Sequence, residues 1–77
     1  TPRWNHSRTP YEILKVSPKA HLKDIKDHYY QLCLVHHPDR TLAKSDQERA
    51  ASRRMYALIQ AAYAVLSDDQ ARRAFDL

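Results

Sequence analysis

The stretch Leu22-Lys23-Asp24-Ile25-Lys26-Asp27-His28-Tyr29-Tyr30-Gln31-Leu32-Cys33-Leu34-Val35-His36-His37-Pro38-Asp39 decides the fold. Leu22, Ile25, Tyr29, Leu32 and His36 recur at spacings of three and four, which puts them on one face of an α-helix. Pro38 has no amide proton to donate and pushes His37 toward extended geometry. The helix must therefore stop near His36, and His37-Pro38-Asp39 must lie on a turn.

Beyond the turn, Arg40 to Lys44 read as a basic loop. Ser45-Asp46-Gln47-Glu48 is a capping box, in which the serine and the glutamate satisfy each other's free amides, and it launches the longest helix of the chain. That helix is expected to run to Leu66. Met55, Tyr56, Ile59, Ala62, Tyr63 and Leu66 form its inward stripe, so the two long helices can pack as an antiparallel hairpin. Ser67-Asp68-Asp69-Gln70 reads as another capping box, opening a short last helix whose narrow apolar side is Ala71, Ala74 and Phe75.

On the N-terminal side, Ser17-Pro18 interrupts the chain. Thr9-Pro10-Tyr11-Glu12 combines a capping threonine, proline at the first helical position and glutamate three residues after the cap. A short helix ending just past Leu14 is expected there. Residues 1–8 lack apolar periodicity and read as an arm or linker in which Trp4 packs locally, leaving 9–77 as the ordered domain. The fold class is all-α, an antiparallel hairpin of two long helices with short helices at both ends.

With 77 residues there is room for one core, and a domain of this size buries only about 60% of the surface its unfolded chain exposes. Cys33, the single cysteine, has no intramolecular disulfide partner. The absence of glycine argues against phosphate-cradling loops, whose backbone must approach the ligand without a side chain in the way. No apolar run is long enough to span a membrane. A net charge of +4 favours an acidic partner surface.

The residues around the turn resemble the J-domain family. Tyr11-Glu12-Ile13-Leu14-Lys15-Val16 is similar to that family's opening segment and Asp24-Ile25-Lys26-Asp27-His28-Tyr29 to its second-helix core. Ala62-Tyr63-Ala64-Val65-Leu66-Ser67-Asp68 resembles its third-helix end, and Gln70-Ala71-Arg72-Arg73-Ala74-Phe75-Asp76 its closing helix. The likeness runs in order from Pro10 to Asp76, and it sets the histidine-proline-aspartate tripeptide between the two long helices.

The resemblance implies a co-chaperone module. It would dock on a seventy-kilodalton heat-shock chaperone and stimulate that partner's ATPase and client capture, without being an enzyme or needing a cofactor. His37, Pro38 and Asp39 would form the activating turn, with Asp39 engaging an arginine-centred network of the partner. Lys23, Lys26, Tyr30, Gln31 and Arg40 would flank the contact surface. Clients would be met through regions outside this chain, and a cytoplasmic or mitochondrial-matrix setting fits.

Three departures from the family pattern stand out. Tyr30 and Gln31 occupy positions where the family often has lysine or arginine, which weakens electrostatic steering. Lys15 replaces a frequent glycine, and His21 a usual serine or threonine.

Other chemistries fare worse. Cys33, His36, His37 and Asp39 are metal-ligand types close in sequence, but the turn breaks the regular helical projection that would align them, so no metal is expected. A cysteine–histidine nucleophile lacks an orienting third group. Tyr29, Tyr56 and Tyr63 have core spacing rather than that of a base-stacking platform, which disfavours nucleic acid. Arg53-Arg54 and Arg72-Arg73 read as solvated helix faces. The rival is a structural or anchoring module that keeps this shape and uses its basic segments to hold an assembly or nucleic acid.

Overall fold

The computed structural model describes Trp4 and residues 6–40 and 44–77. It contains α1 (Pro10–Leu14), α2 (Leu22–His36), a single 3₁₀ turn (Pro38–Arg40), α3 (Asp46–Leu66) and α4 (Asp69–Asp76). There is no strand among the described residues. Of the expected basic loop, Arg40 and Lys44 are exposed, while 41–43 lie outside the described residues.

Helix starts follow local chemistry. Thr9 and Glu12 close a reciprocal capping box on α1, as do Ser45 and Glu48 on α3. Hydrogen bonding to Ser45 holds the Glu48 carboxyl below its ordinary pKa. α1 ends in a Schellman-type cap: the amide of Lys15 donates to the Glu12 carbonyl at 3.2 Å, and that of Val16 to the Tyr11 carbonyl at 3.0 Å. This closure needs a left-handed residue, and Lys15 supplies it at φ 57°, ψ 44°. The glycine frequent here in J-domains would adopt that conformation without the crowding a Cβ introduces.

The capping box expected at Ser67 is corrected. Ser67 is spent closing α3, its amide donating to the Tyr63 carbonyl at 2.8 Å, so the next helix begins one residue later. Asp68 is the cap instead, its carboxylate accepting from the amides of Gln70 and Ala71 at 2.9 and 3.4 Å.

Tyr11, Ile13 and Leu14 of α1, Ile25 of α2, and Ile59, Ala62 and Leu66 of α3 form the buried core. Tyr29 and Leu32 from α2, and Met55 and Tyr63 from α3, pack around it half-buried. Tyr29 stacks on Tyr63 with ring centroids 3.9 Å apart and 8° between planes. Nearer the turn, His37 meets the edge of Tyr56 at 5.9 Å. As residue numbers rise along α2 they fall along α3, so the hairpin is antiparallel.

Two members of the expected apolar stripes face solvent. Leu22 is exposed, because it sits about 60° around the helix from Ile25 and in the first turn of α2. Ala74 is exposed too, since Ala71 and Phe75, one helical turn apart, complete the inward side of α4 without it.

Trp4 packs half-buried against the core, and its indole Nε1 donates to the Arg8 carbonyl at 2.7 Å. The opening segment is thereby fastened to the domain at one aromatic side chain.

Candidate functional site

Three contacts shape the turn after α2. The amide of Arg40 donates to the His37 carbonyl at 2.9 Å, closing the 3₁₀ turn, and Pro38 fixes one backbone torsion within it. The amide of Asp39 donates to His37 Nδ1 at 3.2 Å. The carboxylate of Asp39 lies 3.8 Å from the same Nδ1, beyond hydrogen-bond length.

The consequence is a division of labour. The His37 ring accepts from the Asp39 amide and makes a T-shaped contact with Tyr56, and its side chain is 44% exposed. The Asp39 carboxylate points into water with its side chain 86% exposed. A turn held from inside, presenting one anion outside, suits recognition of a guanidinium, to which a carboxylate can offer two oxygens.

His36, one residue earlier, is different in kind. Its Nδ1 is buried and finds no hydrogen-bond partner among the described residues. Burial lowers its pKa below the ordinary 6.5, and the nearby Lys44 and Lys15 push the same way. The C-terminal end of a helix ordinarily favours a cation; here desolvation and two like charges outweigh it.

Lys23, Lys26, Tyr30 and Gln31 are all exposed on α2, and Arg40 is exposed beyond the turn. Lys26 Nζ lies 6.0 Å from the centroid of the Tyr30 ring, at the limit of a cation–π contact. Lys23 is about 20 Å along the helix axis from the start of the turn, at 1.5 Å per residue. These residues line an extended surface rather than converge on one point. Cys33 is half-buried on the core side. Among the described residues, no group of three or more histidine, cysteine, aspartate or glutamate side chains could hold a metal ion.

Two exposed residues of α2 escaped the sequence reading, Leu34 and Val35. Both fall outside the stripe of Leu22, Ile25, Tyr29, Leu32 and His36, and that offset was the available signal. Arg72 was misread in the opposite sense. It is half-buried, and its Nη2 donates to the carbonyls of Pro18 and Ala20 at 3.1 and 2.8 Å, tying α4 to the segment before α2.

With this geometry in place, the family model described as the DnaJ domain matches residues 9–76. The chain belongs to the DnaJ-domain family. A protein named Chaperone protein DnaJ from Ruthia magnifica is 47% identical over 66 residues, covering 86% of this chain and 17% of that relative. The DnaJ homolog subfamily C member 7 homolog of Dictyostelium discoideum is 39% identical over 67 residues, covering 87% of this chain and 12% of its own length. Adaptation to cold protein J of Shewanella oneidensis is 37% identical over 65 residues, covering 84% of this chain and 69% of the relative. This DnaJ domain thus spans less than a fifth of the first two proteins and most of the third. Among its described residues, no helix is long and apolar enough to cross a membrane.

Proposed function

We propose that this DnaJ domain docks on a seventy-kilodalton heat-shock chaperone and stimulates its ATP hydrolysis and client capture through the His37-Pro38-Asp39 turn. The observation that carries the reading is the exposed Asp39 carboxylate on a turn braced internally by His37 and closed by Arg40. A preformed turn loses little conformational freedom on docking, so more of the contact energy survives as affinity. Lys23, Lys26, Tyr30, Gln31 and Arg40 flank the contact. The chain supplies no catalytic group and takes no cofactor; the ATP site is the partner's.

Client proteins are engaged by regions beyond this domain, and the compartment is the cytoplasm or the mitochondrial matrix. Binding to ATP-loaded candidate chaperones, measured beside Asp39→Asn and His37→Ala, tests the proposal. Binding that disappears in folded variants supports it. A pull-down that lacks the chaperone but retains salt-sensitive nucleic acid or a static assembly supports the anchoring alternative instead.

A further inference from the structure

α3 packs against α1, α2 and α4, yet its outward side stays exposed at Arg53, Arg54, Ala57, Ala61 and Ala64. With about 100° between successive residues, Ala57 and Ala61 lie within about 20° of the direction opposite the buried Ile59. Arg53 and Arg54 stand on either side of that line, about 60° and about 40° from it.

The charge of this face has one sign. Residues 49–67 include Arg49, Arg53 and Arg54 but no aspartate or glutamate. Arg49 is engaged by Asp46, whereas neither Arg53 nor Arg54 has an acidic partner among the described residues. Two adjacent cations with no counter-charge from the domain itself make the surface electropositive.

We propose that the outward face of α3 is a docking surface for an acidic α-helix of a protein other than the chaperone, with carboxylates of that helix gripped by Arg53 and Arg54. Charge complementarity sets the sign of the occupant. The shape between the arginines sets its class. Only methyl groups stand there, so a second helix can approach to an interaxial distance of about 8 Å. The two guanidinium groups then reach carboxylates on its opposite flanks, each able to pair through two parallel hydrogen bonds. The same face has none of the aromatic rings on which unpaired bases stack. It also has none of the large apolar side chains that enter a bilayer surface.

The face is separate from the turn. Tyr56, the α3 residue whose ring meets His37, points about 120° around the helix from the centre of the face. A helix seated between Arg53 and Arg54 leaves Asp39 open to the solvent. The domain can therefore be held by one protein while its turn engages another.

The probe is a synthetic alanine-rich peptide of about 20 residues, long enough to be helical in water, with glutamates on both flanks of an alanine face. Amide chemical shifts of the isotope-labelled chain locate the contact. Affinity is measured for the unsubstituted chain, for the double variant Arg53→Glu with Arg54→Glu, and for Ala61→Trp, which blocks close approach. All three positions are exposed, so the variants keep the fold, which circular dichroism checks.

The expected shifts centre on α3 between Arg53 and Ala64, and each variant weakens binding about tenfold, near 1.4 kcal/mol. A peptide with lysines in place of the glutamates should bind the double variant and not the unsubstituted chain. The double variant should still stimulate the chaperone.

No binding of the glutamate peptide, or equal binding of an unstructured peptide of the same charge, overturns the inference. So does tighter binding of a single-stranded oligonucleotide that the double variant loses. Loss of chaperone stimulation in the folded double variant assigns the arginines to the chaperone contact instead. Self-association of the chain that Ala61→Trp abolishes assigns the face to a second copy, and either result also overturns the inference.

Discussion

Arg72 and Tyr11 stand 61 residues apart in sequence, yet Arg72 Nε donates to the Tyr11 phenolic oxygen at 3.1 Å. The same hydroxyl donates to Asp76 Oδ1 at 2.7 Å, and the guanidinium carbon lies 5.4 Å from the Tyr11 ring centroid. Phe75 packs at 5.9 Å against that ring. α4 is thus fastened to α1 by one aromatic side chain that is both core and hydrogen-bond hub. Burial, helped by Asp76 and opposed by Arg72, raises the Tyr11 pKa above 10.0, so the hydroxyl keeps its proton for Asp76.

Arg72→Met should therefore destabilise the domain by about 2 kcal/mol, since it removes charge-assisted bonds to Tyr11 and to the Pro18 and Ala20 carbonyls while keeping an apolar stem. Urea denaturation checks the magnitude. Arg73→Met should change stability little, because Arg73 is exposed. Equal effects would mean that the Arg72 bonds contribute nothing net.

Lys15→Gly should stabilise the domain by about 1 kcal/mol, because the left-handed conformation at φ 57° disfavours a residue with a Cβ. Glycine's greater freedom in the unfolded chain offsets part of the gain. Lys15→Val, with a branched Cβ at the same torsions, should destabilise it. A thermal melt that ranks glycine below lysine would contradict this account of the cap.

His36 predicts an acid-sensitive term in stability. Its folded-state pKa lies below the ordinary 6.5, so the neutral ring favours folding. Stability from this group is complete above 6.5 and is lost as pH falls from there through the lower folded-state value. His36→Phe should flatten that part of the stability-versus-pH curve. An imidazole NMR titration should find His36 protonating at lower pH than a free histidine; a value at or above the ordinary one would contradict the burial argument.

Much of the fold was legible because the deciding signals are local. The reciprocal caps at Thr9 and Ser45, the stop at Pro38 and the stripe of Ile59, Ala62 and Leu66 each depend on residues within a few positions of one another. The failures involve competition or distance. Ser67 could cap either of two helices and closed α3, a choice made by where that helix ends. Arg72 looks like any surface arginine until α1 and the segment before α2 are brought beside it.

The candidate site was legible in a different way. Asp39 and Pro38 declared a turn by their chemistry alone, but the inward bond from the Asp39 amide to His37 Nδ1 depends on side-chain placement. The apolar second half of the α2 solvent face was hidden because attention to the buried stripe leaves the residues between its members unread.

The most direct test of the central claim is single-turnover ATP hydrolysis by candidate seventy-kilodalton chaperones, with this domain and with its Asp39→Asn variant. Asparagine keeps the size of the side chain and the amide bond to His37 while removing the anion that a guanidinium would grip. The account predicts clear stimulation by the domain and its loss in a variant that remains folded by circular dichroism. Stimulation that survives the substitution, or none from the domain on cytosolic and mitochondrial chaperones alike, would contradict it.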